Sequence, residues 1–254
     1  MNAAEIARHS RAGVAVEVVP ETGSTNADLM ERAAALDAPL LLVAEHQTAG
    51  RGRAGRSWLS APGDSLTFSL AWKFDAPLQQ LAGMPLAVGV ALADALAACG
   101  VQVQLKWPND VLKDGSKLAG VLIETQSGAG GIWAVIGIGM NLRMPDEMEA
   151  RIGRTVAAAP WLAQMDRDQL MATLLDSLAA ALAEFSRSGF GAFSARWNRL
   201  HAWQGRTVAV LDRGATLYEG LAAGVDDSGR LLLDCAEGRM TVLAGDVSLR
   251  TREA

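Results

Sequence analysis

A glycine- and arginine-rich segment that ends in tryptophan carries the residue types best suited to binding an anionic ligand. Residues 50–58 read Gly-Arg-Gly-Arg-Ala-Gly-Arg-Ser-Trp and follow a short apolar run, residues 40–44. Glycine lets the backbone approach a ligand closely. Arginine offers a planar, always charged fork for carboxylate or phosphate oxygens, and tryptophan offers a flat face for a ring. The segment, called the arginine loop below, therefore predicts a loop that closes over an anionic ligand carrying a ring.

Other interpretations of the arginine loop compete with this one. Gly50, Gly52 and Gly55 match the dinucleotide-binding pattern G-x-G-x-x-G. That pattern needs a helix to begin at its third glycine, whereas Pro62 and Gly63 follow soon after and lead into a strand, so we interpret the match as accidental. A P-loop is excluded because no Gly-Lys-Ser/Thr follows. A nucleic-acid-binding patch and a solvated surface turn remain open at this point.

A second group of polar residues lies at the start of a predicted helix. Ser24, Thr25 and Asn26 precede a helical pattern over residues 27–36, and Thr25 with Asp28 has the form of a capping box. Three polar side chains exceed the needs of one cap. The free N–H groups at a helix start also favour anions or polar ligand atoms. The group is therefore a candidate ligand contact as well as a cap.

A third group follows a predicted strand over residues 101–107. Lys106, Asn109 and Asp110 lie at its end, where Pro108 and the Asn-Asp pair favour a turn. A hairpin corner is the simpler interpretation. A lysine, an asparagine and an aspartate at one strand end can also bind polar ligand groups.

Two more candidate residues accompany glycine-containing strands. Lys117 comes just before a predicted strand over residues 118–124, and the local sequence alone favours a solvated lysine there. Asn141 follows Gly137 and Gly139, whose spacing allows close backbone approach.

The remaining patterns predict the elements that position these groups. Residues 65–72 alternate strictly between apolar and polar, which predicts a half-buried strand. Residues 84–99 predict a buried helix, and residues 168–186 and 190–200 predict amphipathic helices. Five short β-like runs without a helix predict a small barrel beyond Gln204, over residues 207–211, 216–222, 230–234, 240–243 and 247–249.

Composition narrows the functional class. The chain has 254 residues and a net charge of −5, which argues against polyanion binding as its main activity. Cys99 and Cys235 are far apart in apolar surroundings, and the three histidines lack ligand spacing, so we predict no disulfide framework and no histidine-held metal. The N-terminus lacks a signal peptide, and residues 84–99 are too short to span a bilayer comfortably, which favours a cytoplasmic protein without membrane contact.

The order of these motifs resembles the biotin–protein ligase family. The matching stretches are Gly-Ser-Thr-Asn, Glu-x-Gln-x-Ala-Gly-Arg-Gly-Arg-x-Gly-Arg-x-Trp, Lys-Trp-Pro-Asn-Asp, Lys-Leu-Ala-Gly-Val-Leu-Ile-Glu and Gly-Ile-Gly-Met-Asn, and the resemblance covers nearly the whole chain. It implies an α+β fold with a mixed-sheet, class II synthetase-like catalytic domain at residues 1–204. An SH3-like barrel would follow at residues 205–254.

The resemblance implies a two-step ATP-dependent reaction. Biotin attacks the α-phosphate of MgATP to give biotinyl-5′-AMP and pyrophosphate, and a lysine of an acceptor then takes the biotinyl group. The implied partner is the biotin carboxyl carrier protein of acetyl-CoA carboxylase or of another biotin-dependent carboxylase. Some relatives carry an N-terminal helix-turn-helix domain, but 13 residues precede the first predicted strand here, so we predict no sequence-specific DNA binding. A monomer or a homodimer fits equally.

The resemblance also implies residue roles. Lys117 and Arg53 would be catalytic, and Mg²⁺ would not be held by the protein alone. The implied biotin contacts are Ser24, Thr25, Asn26, Gln47, Arg51, Gly52, Arg53 and Lys117, and the implied nucleotide contacts are Arg51, Arg53, Arg56, Trp58, Lys106, Asn109, Asp110 and Asn141. Ala54 and Ser57 occupy positions that are basic in some relatives. The alternatives are a lipoate–protein ligase, a non-catalytic regulator that binds biotin or its adenylate, and a nucleic-acid-binding module.

Overall fold

A mixed seven-stranded sheet forms the centre of the larger part of the molecule. The computed structural model describes residues 1–128, 130–153, 155–212, 214–245 and 247–251. The strand order is β1-β2-β3-β7-β6-β5-β4, in which β1 and β2 are parallel and the other neighbours are antiparallel. The strands are β1 (Ala15–Thr22), β2 (Leu40–Gln47), β3 (Ser65–Phe74), β4 (Gln104–Lys106), β5 (Asp110–Lys113), β6 (Ser116–Gly128) and β7 (Gly131–Asn141). The expected mixed sheet is confirmed.

Six α-helices accompany the sheet in the described residues. They are α1 (Ala3–His9), α2 (Thr25–Arg32), α3 (Met84–Ala98), α4 (Asp146–Ile152), α5 (Arg167–Ser188) and α6 (Gly191–Leu200). Helices α3, α5 and α6 begin and end within two residues of their predicted bounds. The sequence did not predict α1 and α4, which are single short helices of 7 residues each.

The two faces of the large sheet are packed differently. On the core face, Leu66, Phe68 and Leu70 of β3 belong to the main hydrophobic core with α3 and α5. On the opposite face, called the site face below, Ser69 of β3 is fully buried, and Ser65 and Thr67 are nearly so. The prediction of a half-buried strand is therefore wrong, because α2 and the arginine loop cover the polar side as well.

Helix α3 lies in the interior. The stretch Leu78–Ala98 is long and apolar enough to cross a membrane, but 67% of its most apolar part is buried inside the fold. The helix packs chiefly against α5 and also contacts β4, β5 and β6. Its uniform hydrophobicity is thus explained by burial in the core of the protein.

A five-stranded antiparallel sheet forms the C-terminal part. Its order is β11-β10-β9-β8-β12, and the strands are β8 (Thr207–Asp212), β9 (Ala215–Val225), β10 (Leu231–Cys235), β11 (Gly238–Val242) and β12 (Val247–Thr251). All five predicted strands are present, while residues 252–254 of the predicted barrel lie outside the described residues. The indole of Trp107 donates to the Gly229 carbonyl at 3.1 Å, which fixes this sheet beside the turn after β4.

Candidate functional site

A cavity lies beneath the arginine loop, between the site face of the large sheet and strand β12 of the small one. It collects the polar groups that the sequence scatters over more than 200 positions. Thirteen of the predicted site residues line it: Ser24, Thr25, Asn26, Gln47, Arg51, Gly52, Arg53, Arg56, Trp58, Lys106, Asn109, Asp110 and Lys117. Small-sheet residues 247–250 contribute to the same wall.

The start of α2 places three predicted residues in the cavity, but not with the predicted cap. Ser24 is the N-cap, and its hydroxyl accepts a 3.5 Å hydrogen bond from the Ala27 amide. Thr25 is already helical, and the Asp28 carboxylate accepts from the Thr22 hydroxyl at 2.6 Å. The capping box of Thr25 and Asp28 is therefore wrong, because Asp28 bonds to the preceding strand. This shift turns the Thr25 side chain towards the sheet.

A chain of buried hydrogen bonds runs from Gln47 to Glu124. Gln47 Oε1 accepts from the Thr25 amide at 2.8 Å and from its hydroxyl at 3.0 Å. The Thr25 and Ser69 hydroxyls are 2.7 Å apart, and Ser69 donates to Asn26 Oδ1 at 2.6 Å. Asn26 Nδ2 then donates to Glu124 Oε2 at 2.9 Å. The buried side chains of Thr25, Ser69 and Asn26 thus each have hydrogen-bond partners inside the fold.

Sequence reasoning assigned no role to Ser69 or Glu124. The alternation in β3 did place Ser69 on a polar face, which was the available signal. Glu124 ends the stretch Lys-Leu-Ala-Gly-Val-Leu-Ile-Glu, but its contact with Asn26 spans 98 positions and has no local signature.

The arginine loop folds back on itself and touches both sheets. Its base is closed by the Trp58 amide, which donates to the Gly50 carbonyl at 2.8 Å. Arg51 Nη2 lies 3.1 Å from Glu124 Oε2 of the large sheet. Arg53 donates to Asn109 Oδ1 at 3.1 Å and also to the Gly245 carbonyl in the small sheet's β11–β12 connection. The loop therefore forms a cover over the cavity that contacts both sides.

Three glycines on the site face make room for the side chains of the cavity. A Cβ at Gly137 would overlap the Asn26 amide, and a Cβ at Gly139 would overlap the Trp58 indole. At Gly120 a Cβ would lie 2.8 Å from Lys117 Nζ. The Trp58 Nε1 atom is buried and has no hydrogen-bond partner among the described residues. The glycines expected to allow a close backbone approach thus admit these three side chains.

Two lysines and one aspartate form a charged cluster in the cavity. Asp110 Oδ1 is 2.5 Å from Lys117 Nζ, and Asp110 Oδ2 is 3.5 Å from Lys106 Nζ. The Lys117 side chain is only 19% exposed, so the solvated position favoured by its local sequence is wrong. Its ammonium lies 5.6 Å from the Trp58 ring centroid.

Burial and charge determine how this cluster ionises. Burial lowers the pKa of Lys106 to about 8, in spite of Asp110 and with help from Arg250 and Lys117. Burial acts to raise the pKa of Asp110, but the ammonium groups of Lys117 and Lys106 outweigh it and hold that pKa below its usual value. Asp110 is therefore an ionised carboxylate at neutral pH.

Asn141 differs from the other predicted site residues. Within the described part of the chain it does not line this cavity. It is buried at the end of β7, and its Nδ2 donates to the Ala157 carbonyl at 3.1 Å and the Lys117 carbonyl at 3.4 Å. Asn141 thus fixes the backbone of Lys117 in this structure, and its predicted contact with a nucleotide stays a prediction.

The described residues contain no group of three or more histidine, cysteine, aspartate or glutamate side chains placed to hold a metal ion. The carboxylate of Asp110 lines the cavity beside the ammonium groups of Lys106 and Lys117. Anionic ligands that bring their own cation suit such a site better than a protein-only metal centre.

Comparison with known proteins finds similarity over both parts of the chain. The model described as the Biotin/lipoate A/B protein ligase family matches residues 15–141. A second model, described as the Biotin protein ligase C terminal domain, matches residues 205–250.

Full-length relatives are similar over nearly the whole chain. A Mycobacterium tuberculosis protein named biotin–[acetyl-CoA-carboxylase] ligase is 36% identical over 91% of this chain and 88% of its own length. A Paracoccus denitrificans protein of the same name is 32% identical over 91% of this chain and 98% of its own length. The structure of Aquifex aeolicus biotin protein ligase in complex with biotin and ATP has a TM-score of 0.77 and 28% identity, over 93% of this chain and 99% of that one.

Proposed function

The chain belongs to the biotin/lipoate A/B protein ligase family, and from this membership we propose that it is a biotin–protein ligase. It activates biotin with ATP to biotinyl-5′-AMP and transfers the biotinyl group to a lysine of a carrier domain. Relatives named biotin–[acetyl-CoA-carboxylase] ligase and a related structure that holds biotin and ATP support this assignment.

The position of the Lys117 ammonium is the structural observation that best supports the proposed reaction. It lies in the cavity beneath the arginine loop, beside Asp110 and Trp58. A carboxylate that attacks an α-phosphate brings two anions together, and negative charge develops on the phosphoryl oxygens. A fixed cation in a site shielded from water lowers that barrier. Lys117 would supply this charge, with Arg53 from the loop above it.

The network from Gln47 to Glu124 fits the biotin end of the cavity. Ser24, Thr25, Asn26 and Gln47 present hydroxyl and amide groups that suit a neutral polar ring. The loop residues Arg51, Gly52 and Arg53 would then lie over the carboxylate. Because the network is already complete without ligand, binding needs little side-chain reordering, which favours affinity.

The nucleotide would occupy the other end of the cavity. Trp58 offers an indole face, and its buried, unpaired Nε1 offers a donor in the same region. Arg56, Lys106 and Asn109 supply charge and an amide group for phosphates. Asn141 donates a hydrogen bond to the Lys117 carbonyl and so helps to position that lysine. Its direct contact with the nucleotide is also part of the proposal.

Magnesium would enter with ATP. The ionised carboxylate of Asp110 fits as a single protein oxygen ligand, while the substrate phosphates supply the others, in keeping with the way Mg²⁺ binds in nucleotide sites. When bound, the ion neutralises phosphate charge. Asp110 itself pairs with the ammonium groups of Lys106 and Lys117 through different oxygen atoms.

The carrier partner and the division of the chain complete the proposal. The acceptor is the biotin carboxyl carrier domain of a biotin-dependent carboxylase, in line with the names of the relatives. We assign catalysis to residues 1–204 and an SH3-like accessory domain to residues 205–254, supported by the match of the C-terminal family model. A cytoplasmic location belongs to the same proposal, since ATP and such an acceptor are found there.

Biotin-dependent exchange of pyrophosphate into ATP tests the proposal. With Mg²⁺ present, the purified protein should catalyse the exchange with biotin and show far less of it with lipoate. Transfer of biotin to a recombinant carrier domain, followed by mass spectrometry, tests the second step. An exchange that depends on lipoate would indicate a lipoate ligase, and no exchange with either acid would indicate a binding protein without ligase activity.

A further inference from the structure

Glu124 contacts two parts of the cavity with a single oxygen atom. Its Oε2 accepts from Asn26 Nδ2 at 2.9 Å and from Arg51 Nη2 at 3.1 Å. Asn26 belongs to the start of α2 and is 3% exposed. Arg51 belongs to the arginine loop. One carboxylate on β6 therefore links the cover of the cavity to its floor.

The Glu124 carboxylate also decides which way the Asn26 amide points. A carboxylate can only accept hydrogen bonds, so the atom facing it must be the Asn26 nitrogen. Ser69 donates to Asn26 Oδ1 at 2.6 Å, which is compatible with the same orientation at the other end. The two contacts agree, so the amide has one favoured orientation. Glutamine at position 124 could offer either an oxygen or a nitrogen and would remove this constraint.

We propose that Glu124 is a positioning residue that anchors the arginine loop through Arg51 and orients Asn26 for biotin. For its substrate the inference rests on the proposed function. It does not make Glu124 a catalytic residue, because the side chain acts through Arg51 and Asn26. Loss of the carboxylate should free the loop and weaken biotin binding while the chemistry at Lys117 continues.

Tryptic cleavage of the ligand-free protein tests the anchoring without any activity. Cleavage after Arg53 and Arg56, mapped by mass spectrometry, should be about fivefold faster in Glu124→Gln, as expected for loss of a half-exposed ion pair. Arg51→Gln removes the same pair from the loop side and leaves β6 untouched. Both single variants and the double variant should be cleaved at nearly the same rate. Additive effects, or no change in either single variant, would overturn the anchoring.

Biotin kinetics test the orientation of Asn26. In pyrophosphate exchange, Glu124→Gln should raise the KM for biotin roughly tenfold and leave kcat within about twofold, the pattern of lost ground-state binding. Glu184→Gln is a matched control, because Glu184 pairs with Arg196 at 2.9 Å far from the cavity and has a similar side-chain exposure of 37% against 30% for Glu124. The control should match the unaltered protein.

The outcomes separate the inference from the proposed function. No exchange by the unaltered protein would end the proposed function, while the cleavage experiment would still report on Glu124. Normal exchange with Glu124→Gln equal to Glu184→Gln would overturn the inference alone. A lower KM for biotin in Glu124→Gln would also overturn it, since it would mean that Glu124 competes with biotin for Arg51.

Discussion

The two faces of the large sheet use neighbouring residues for opposite purposes. On the core face, Phe68 and Leu70 of β3 pack in the main hydrophobic core. On the site face, Ser69 between them bonds to Asn26 and Thr25. Both faces are buried, so burial alone does not distinguish the structural side from the functional side. The difference lies in whether the buried side chains are apolar or are polar and hydrogen-bonded to one another.

Side-chain size shows the same contrast in β7. Its core-facing residues Ile136, Ile138 and Met140 fill space in the main core. The alternate positions Gly137 and Gly139 leave space that Asn26 and Trp58 occupy. On the core face, the side chains of β7 themselves fill the space. On the site face, its glycines leave room for side chains from other elements. Substitutions on the two faces should therefore affect different measurements.

Loss of the central cation should have the largest effect on the reaction rate. We expect Lys117→Met to lower biotin-dependent pyrophosphate exchange roughly 100- to 1,000-fold, the range seen when a charge-stabilising group is removed. Biotin affinity, measured by calorimetry, should fall far less, since the network from Gln47 to Glu124 is intact. Lys73→Met, an exposed lysine on β3, is the control. Equal losses of exchange and biotin affinity would mean that Lys117 only binds.

The pair of neighbours on β3 separates the two faces most directly. We expect Leu70→Ala to lower the free energy of unfolding by about 2–5 kcal/mol, as for other cavities in a core, and to leave biotin affinity unchanged. Ser69→Ala should cost about 1–2 kcal/mol, because it leaves Asn26 Oδ1 without its donor. Its biotin affinity should fall by roughly tenfold, the equivalent of about 1.4 kcal/mol. Urea unfolding and calorimetry on both variants check this, and a reversed pattern would contradict the contrast between the faces.

A methyl group on the site face should displace the indole. Gly139→Ala places a Cβ where the Trp58 ring lies. We expect a stability loss of about 1–3 kcal/mol from overpacking and a higher KM for ATP. Gly128→Ala, near the end of β6 with nothing within 4 Å of its Cβ, should leave both unchanged. An unaltered KM for ATP in Gly139→Ala would show that the indole is not needed where it lies.

The buried lysine should affect the pH dependence of stability. The pKa of Lys106 is lowered to about 8 from 10.5. Between these values the unfolded chain holds more protons than the folded one, so this lysine makes stability rise with pH, by at most about 1.4 kcal/mol per unit. Lys106→Met should remove that rise between pH 8 and 10 in urea unfolding. A profile that still rises to the same extent would show that the lysine keeps its ordinary pKa.

The sequence predicted those features that depend on local sequence patterns. Apolar residues recur every three or four positions in α5, and α3 is a long, almost entirely apolar run, so the bounds of both helices were predicted closely. Strand β5 has 4 residues between two turns, and its pairing with β6 defines it more than its own sequence does. The burial of Ser65, Thr67 and Ser69 was also missed. Strict alternation normally indicates a solvated face, and the sequence contains no sign that α2 covers it.

The residues that line the cavity were predicted from the sequence where a motif contains them, and were missed where the contact joins distant positions. Ordered motifs identified Lys117 and the arginine loop, and the cavity brings both together. Glu124 contacts Arg51 across 73 positions and Asn26 across 98, and no pattern in one sequence encodes such a pair. The helix cap was assigned to Thr25, whereas the structure has it at Ser24. The local pattern of Thr25 and Asp28 fitted a capping box, but Asp28 accepts a hydrogen bond from Thr22 of the preceding strand.

Arg53 of the arginine loop donates to the Gly245 carbonyl of the smaller sheet, while Arg51 of the same loop pairs with Glu124 of the larger sheet. If the protein acts as proposed, a carrier protein that binds to the smaller sheet could therefore shift the arginine loop, which would cover biotinyl-5′-AMP. Binding of the carrier protein and opening of the arginine loop would then be coupled. The loop would shield the reactive anhydride from water until the carrier protein binds. We expect an added carrier domain to speed trypsin cleavage after Arg56, and an unchanged rate would show that the two events are independent.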